Sequence, residues 1–496
     1  MFRSVRSRLV SALALALVLP SGAVAQVPAE AAPAASDTYT ESEVREDFET
    51  LYRTLQEAEY DPYARVTKAE YDARFEELLA GISGPMPKDR AHLLFQNLLA
   101  FGRISHAHTE AALLDVLGAL GTGKTLFPLD VVYRDSMPLL AGWPDSSDAL
   151  PPGSHLLELD GEPMASIDAR FREIVSADTD TLLHAQLEKG FPIYLALVFP
   201  NRSELTVTAI RPDGSKVTHK ISAIGYGELK ALQQERPVPS LQTDFGSREY
   251  RIDDGIGYLR PGPFANLPGE VPEGTEGYHP EAMKAFLKEA FAAFETAGVE
   301  NVLVDLRGNP GGDNSFSDPL IARFADRPFR FASQFNLRAS AATKARYAKE
   351  KPAPGSLFEK MVAAEADAPN GSRYTLDLPL VEPVKEGRFK GRVRALINRQ
   401  SYSNAVTVAA ILKDYGFATI LGEETADLAT TYGSVEQFNL PNSKVQIFYP
   451  KSYIVRPDGD ETVHGVRPDI PLSPQPIGVS EDTVLRHAYA VVKEER

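Results

Sequence analysis

The sequence predicts a multidomain α/β (α+β) protein: a small helical domain, then a β-rich domain, then a layered core in which strands and helices alternate. Three observations carry that expectation. Apolar residues recur at three-four spacing between Ser42 and Phe101, short β-like runs separated by turn residues fill 126–224, and from Tyr250 onward strand-like and helix-like segments take turns. The chain has 496 residues, 43% of them hydrophobic, and no cysteine. That length accommodates about three units, and without disulfides each rests on buried apolar area.

The first element, 1–25, reads as a signal peptide. Arg3, Arg6 and Arg8 precede an apolar stretch from Leu9 to Leu19, and Ala23-Val24-Ala25 closes it. This layout predicts export to the periplasm or beyond, with cleavage after Ala25, and the apolar stretch is too short for a permanent membrane span. A lipid anchor at that site is excluded because the chain lacks cysteine. Losing the three arginines makes the formal net charge of −16 three units more negative. Such a surface does not suit nucleic acid.

Residues 26–37, rich in Ala, Pro and Val, form a flexible lead-in. The helical domain follows over 38–117, where EVREDFETLYRTLQEAEY and HLLFQNLLAF show helical periodicity. Next, 118–225 contains PPGSHLLELDGEPMASI (151–167), a glycine turn before an alternating strand, and LTVTAIRPDGSKVTHKI (205–221), a hairpin around Pro212-Asp213-Gly214. The Pro-Gly-x-x-Leu-x-x-Leu-Asp-Gly run followed by such a hairpin resembles a PDZ domain, which captures chain ends by adding a strand to a sheet edge. The core spans 226–475: RIDDGIGYLRPGPF offers a strand, 281–298 an amphipathic helix ending at Gly298, VENVLVDLR a buried strand, 392–399 another, and 405–416 a helix with Gly416 past its end. Within it, 339–387 has no sustained pattern and reads as an insertion or lid, and 476–496 reads as a C-terminal helix.

Residues 118–125, GALGTGKT, fit the phosphate-cradling pattern G-x-x-x-x-G-K-[ST] through Lys124 and Thr125, and Asp305 could pass for the partner acid of a P-loop NTPase. That cradle needs a strand before it and a helix after it. Here LFPLDVVYRD follows, with Pro128 in the would-be helix and a β-branched, aromatic run beyond. An exported protein also meets little ATP. The octapeptide is therefore read as a glycine-rich link, with the NTPase as a remote alternative.

Three stretches carry chemistry. DLRGNPGG (305–312) runs from a strand into a turn whose glycines let amides approach a ligand, as an oxyanion site requires. NRQSYSN (398–404) places a serine at a strand-to-helix junction, in the positive field of the helix N-terminus; the plain alternative is that Ser403 or Asn404 is an N-cap. GRISHAHT (102–109) carries His106 and His108, which share one side if the segment is extended. No carboxylate or third histidine follows at ligand spacing, so no metal is expected.

Together these stretches resemble the C-terminal-processing (tail-specific) serine peptidase family, including its tricorn-core branch, from about Tyr250 to Pro471. DLRGNPGG, the SYS block with its helix, DYG and LGEET, and GVRPDI (465–470) carry the resemblance. It implies a crotonase-like catalytic core, peptide or protein substrates and no cofactor, with Ser403 as nucleophile. The lysine base of the processing branch would fall 25 residues later, where this chain has Leu428, and Lys413 reads as a solvated helix residue. The tricorn-like branch uses histidine, which a gapless alignment from Gly102 puts at His108, with His106 next in line. The orienting acid falls nearest Glu461, with Asp458 and Asp460 close by, and the oxyanion donors are the amides around Gly311, Gly312 and Asn404. A peptidase-fold binding protein that has lost catalysis is the alternative.

Overall fold

The computed structural model describes residues 37–236, 246–272, 275, 277–350, 352 and 354–494. The leader and all of the lead-in except Asp37 lie outside the described residues. Among those described, no helix is long and apolar enough to cross a membrane.

Four helices, Glu41–Ala58, Lys68–Ala80, Lys88–Phe101 and Ala111–Leu120, make the N-terminal unit. The first two open with capping boxes, Thr40 with Glu43 and Thr67 with Glu70, which satisfy amides that a helix start leaves bare. Their apolar stripes bury Phe48, Leu51, Leu55, Phe75 and Phe95. This cluster continues into Leu440, Val445, Ile447 and Tyr449 of the C-terminal half, so the first unit and the core share one apolar interior.

The octapeptide 118–125 is no phosphate cradle. The Ala111–Leu120 helix ends inside it and the two-residue strand Thr125–Leu126 follows, paired with Ile224–Gly225. This order is the reverse of strand, loop, helix, so no helix leads directly out of the glycines. Asp305 is occupied as well, paired with Arg307 at 2.7 Å and accepting from Tyr258 Oη at 2.9 Å.

The second unit is an antiparallel sheet in the order Val131–Arg134, Met137–Leu140, His155–Leu159, Glu204–Ile210, Lys216–Ser222. The last two form the hairpin expected around Pro212-Asp213-Gly214, with Gly214 at φ +85°. Between the third and fourth strands run helices Met164–Arg172, Asp180–Glu188 and Phe191–Val198. The last of these is apolar on nearly every face and almost wholly buried.

The core holds a six-stranded sheet in the order Glu249–Asp253, Ile256–Arg260, Asn301–Asp305, Arg392–Ile397, Thr419–Gly422, Ile470–Pro471. The first pair is antiparallel and the other four are parallel. Val302, Val304, Ala395 and Ile397 face helices Glu281–Thr296, Asn314–Ile321 and Asn404–Asp414. Leu303, Leu396 and Leu421 face the C-terminal helix Thr483–Glu494. Coverage on both faces explains why these strands read as unbroken apolar runs. Residues 339–387 contribute helices Ala341–Tyr347 and Leu357–Asp367 and strand Arg373–Thr375, which pairs into a four-stranded antiparallel sheet with Gln334–Arg338, Gln446–Val455 and Thr431–Asn439.

Strands Asn301–Asp305 and Arg392–Ile397 are neighbours, with Asp305 opposite Leu396. The glycine turn leaves the carboxyl end of one and the SYS block leaves the carboxyl end of the other, so the parallel sheet brings two stretches almost a hundred residues apart to the same edge.

Candidate active site

Ser403 sits at the junction between strand Arg392–Ile397 and helix Asn404–Asp414 with φ 52° and ψ −126°. A non-glycine residue in that conformation costs about 1–3 kcal/mol and persists only where its surroundings impose it. The surroundings do so here. Ser401 Oγ donates to Leu306 O at 2.8 Å, the Tyr402 amide to Asn309 O at 2.9 Å, and the Ser403 amide to Asp427 Oδ2 at 2.6 Å. The Ser403 side chain does not cap the helix. Its Oγ lies 3.3 Å from His106 Nε2, across 297 positions of sequence.

The glycine turn presses against this corner. Gly311 has φ +88°, and a Cβ there would lie 2.6 Å from the Asn404 amide nitrogen and 2.8 Å from Ser403 Cβ. Only glycine fits. The expectation that the Gly311 amide is an oxyanion donor is corrected, because it donates to the buried Asn309 Oδ1 at 2.9 Å. Gly312 is exposed, and neither its amide nor that of Asn404 has a hydrogen-bond partner among the described residues.

The histidine segment is a turn, not a strand. Arg103 has φ 53° and the Ala107 amide donates to Ile104 O at 2.9 Å, so the two imidazoles do not share a side. His106 is buried, stacks on Tyr402 with ring centroids 5.2 Å apart, and has Nδ1 3.3 Å from Ser105 Oγ. His108 is placed elsewhere, which corrects the gapless alignment. Its backbone bridges Phe448 in both directions, at 3.0 and 2.9 Å, and its ring stacks on Phe448 at 5.0 Å, facing the seam between the units. His108 Nδ1 is buried without a hydrogen bond, and burial, with a smaller contribution from His106, pulls the ring's pKa down to about 4.

Glu461 is likewise not brought to the histidines. It is exposed and accepts from Tyr453 Oη at 3.0 Å, while Asp458 pairs with Arg456 and Asp460 with His464. Lys413 lies at the surface with Asp469 as its partner. The carboxylate at the corner is Asp427, which sequence reasoning missed. It is fully buried and accepts the Leu428 amide on Oδ1 at 3.0 Å as well as the Ser403 amide on Oδ2. Burial pushes its pKa up, opposed first by the charge of His106.

The second unit adds two charged groups. Asp178 Oδ2 accepts the Ser105 amide at 3.0 Å while its other oxygen pairs with Arg65 at 3.2 Å. Lys189 Nζ lies 5.7 Å from the Tyr402 ring centroid, and burial lowers its pKa to about 8 against the pull of Asp427 and Glu188. Glu188 has a fully buried side chain that pairs with Arg399 at 2.8 Å and accepts from Gln400 Nε2 at 3.0 Å, so the second unit grips the residues leading to Ser403.

Residues 255–472, which contain the glycine turn, Ser403 and Asp427, match the model of peptidase family S41. The chain carries a peptidase family S41 domain. Its enzyme class is accordingly serine-type peptidase, acting on peptides or proteins. No curated protein sequence matches the chain. Among solved structures it is similar to mature CPAF complexed with lactacystin, at 16% identity over 92% of this chain and 97% of that one, with TM-score 0.61. Mature CPAF alone gives 16% identity, 87% and 93% coverage and TM-score 0.58. The photosystem II D1 C-terminal processing protease gives 14% identity, 90% and 96% coverage and TM-score 0.43. At these identities the CPAF likenesses establish fold. His106 lies outside the matched S41 segment, in the helical unit.

Proposed function

We propose that the protein is an exported serine endopeptidase in which Ser403 is the nucleophile and His106 its general base. The single observation that carries this reading is the 3.3 Å approach of His106 Nε2 to Ser403 Oγ, at a strained corner facing a glycine turn. His106 takes the hydroxyl proton as Oγ attacks the scissile carbonyl, then returns it to the leaving amine; water repeats the sequence on the acyl-enzyme. The amides of Asn404 and Gly312 stabilise the oxyanion, helped by the positive end of the Asn404–Asp414 helix. The leader pattern over 1–25 supports export, and the antiparallel sheet with its 205–221 hairpin supports a PDZ-like unit that presents substrate C-termini to the site.

A fluorophosphonate probe, which needs no knowledge of the substrate, tests the reading. Wild-type protein labels, Ser403→Ala does not, and His106→Ala falls to the same background while His108→Ala keeps most of its reactivity. Folded wild-type protein that fails to label would instead indicate the binding protein without catalysis.

A further inference from the structure

The Ser403 backbone is held in a conformation that its own chain does not favour, and a group holding it is a buried carboxylate, Asp427, that forms no salt bridge among the described residues. We propose that Asp427 is the positioning acid of this site: it locks Ser403 in its left-handed conformation through the backbone amide and supplies the negative charge that steadies His106 when it takes the serine proton. This inference rests on the Ser403–His106 reading above.

The geometry supports the lock directly and the charge through a short path, since Asp427 holds the Ser403 amide and Ser403 Oγ lies 3.3 Å from His106 Nε2. Each Asp427 oxygen accepts a backbone amide, from Ser403 at 2.6 Å and from Leu428 at 3.0 Å, so the carboxylate cannot rotate and both bonds favour its ionised form. Because the Ser403 amide is spent there, the oxyanion donors reduce to Asn404 and Gly312. The charged and titratable groups around the pair come from all three units. His106, His108 and Arg65 belong to the helical unit; Asp178 and Lys189 to the second; Tyr402 and Asp427 to the core. Asp178 is offset by Arg65, and Lys189 sits across the Tyr402 ring. Asp427 thus interacts with the charge of His106 from the core side, in the role proposed for it here and not reached by Glu461, which is exposed and bonded to Tyr453.

The test measures the second-order labelling rate of Asp427→Asn against pH, in the full chain. The rate should fall about ten- to hundredfold, within the range of positioned acid–base groups. Its acid limb should move to lower pH by about one unit, because removing an anion disfavours the imidazolium. Asp427→Glu, which keeps the charge but displaces the corner, should lose rate with the limb unmoved. An unchanged rate in D427N, or a lost rate with the limb unmoved, overturns the proposal. Should D427N not fold, D427E decides: retention of the full wild-type rate overturns it, and a slowed rate on the wild-type limb upholds it. Failure of the parent reading looks different: folded wild type would then not label, or Ser403→Ala or His106→Ala would keep the label.

Discussion

Replacing Gly311 by alanine should disable the site through geometry alone. The added Cβ would meet the Asn404 nitrogen at 2.6 Å, Tyr402 O at 2.7 Å and Ser403 Cβ at 2.8 Å. Contacts become ordinary near about 3.4 Å, so the turn and the corner must separate by roughly 0.6–0.8 Å. The obstacles are backbone atoms or the nucleophile's own Cβ, and none can swing aside as a surface side chain could. Alanine at φ +88° adds strain of about 1–2 kcal/mol, and overpacking adds about 1–3 kcal/mol. A misplacement approaching 1 Å at the reacting atoms costs about a hundredfold in rate. The assay is the fluorophosphonate labelling rate, read beside a urea denaturation curve at pH 7. Gly118→Ala is the control: no heavy atom lies within 4 Å of its added Cβ and it sits inside a helix, so the labelling rate should hold at the wild-type value while stability rises by about 0.5–1 kcal/mol. If G311A labels within threefold of wild type, the close approach of turn and corner does not matter to the chemistry.

Three other outcomes follow from buried charge. His108 titrates at about 4 when folded and near 6.5 when unfolded, so the unfolded chain binds more protons between those values and stability falls as pH drops from about 6.5 to about 4, by about 3 kcal/mol. His108→Phe should remove that share of the acid sensitivity, seen as a smaller fall in urea midpoint between pH 7 and pH 4. Glu59 is pushed up to about 8 by burial, with Asp61 adding to the rise, so its contribution is complete below about pH 4.5 and is lost as pH climbs to about 8. Glu59→Gln should therefore stabilise the protein at pH 8 by about 2–4 kcal/mol and change little at pH 4.5, and equal effects at both would contradict this. Glu188→Ala leaves Arg399 without its buried partner; it should cost about 3–5 kcal/mol and slow labelling, and an unaffected labelling rate would show that the second unit's grip on Gln400 is irrelevant to Ser403.

Elements governed by local periodicity were legible. The amphipathic helices, the 205–221 hairpin and the apolar strands 301–305 and 392–397 all announce themselves, because their patterns are set by which faces are covered. The strand-to-helix corner at Ser403 was legible for a related reason, since the elements on both sides show in the pattern, whereas the nucleophile role proposed for Ser403 came only from the family resemblance. The histidines were not. A single residue, Ala107, separates them, and what tells them apart is the bridge between His108 and Phe448, a tertiary bond with no trace in the segment itself. Asp427 hid in the same way, since a carboxylate's burial depends on three units closing over it. The Gly311 amide looked available because Asn309, two residues earlier, can consume it only in the folded turn. GALGTGKT misled because a short pattern specifies residues and not the elements on either side.

The bridge between His108 and Phe448 also bears on the order in which the chain is made. His106 is translated 297 positions before Ser403, and the strand its segment pairs with, Gln446–Val455, follows Ser403 in the chain. Until that strand is in place the histidine segment, already held by the Asp178 carboxylate at Ser105 and by the Tyr402 ring at His106, lacks its Phe448 bridge, so a chain translated through Ser403 but not through Phe448 holds both reactive groups in an incompletely anchored site. The last tertiary anchor of the histidine segment is therefore made after the proposed nucleophile has been synthesised.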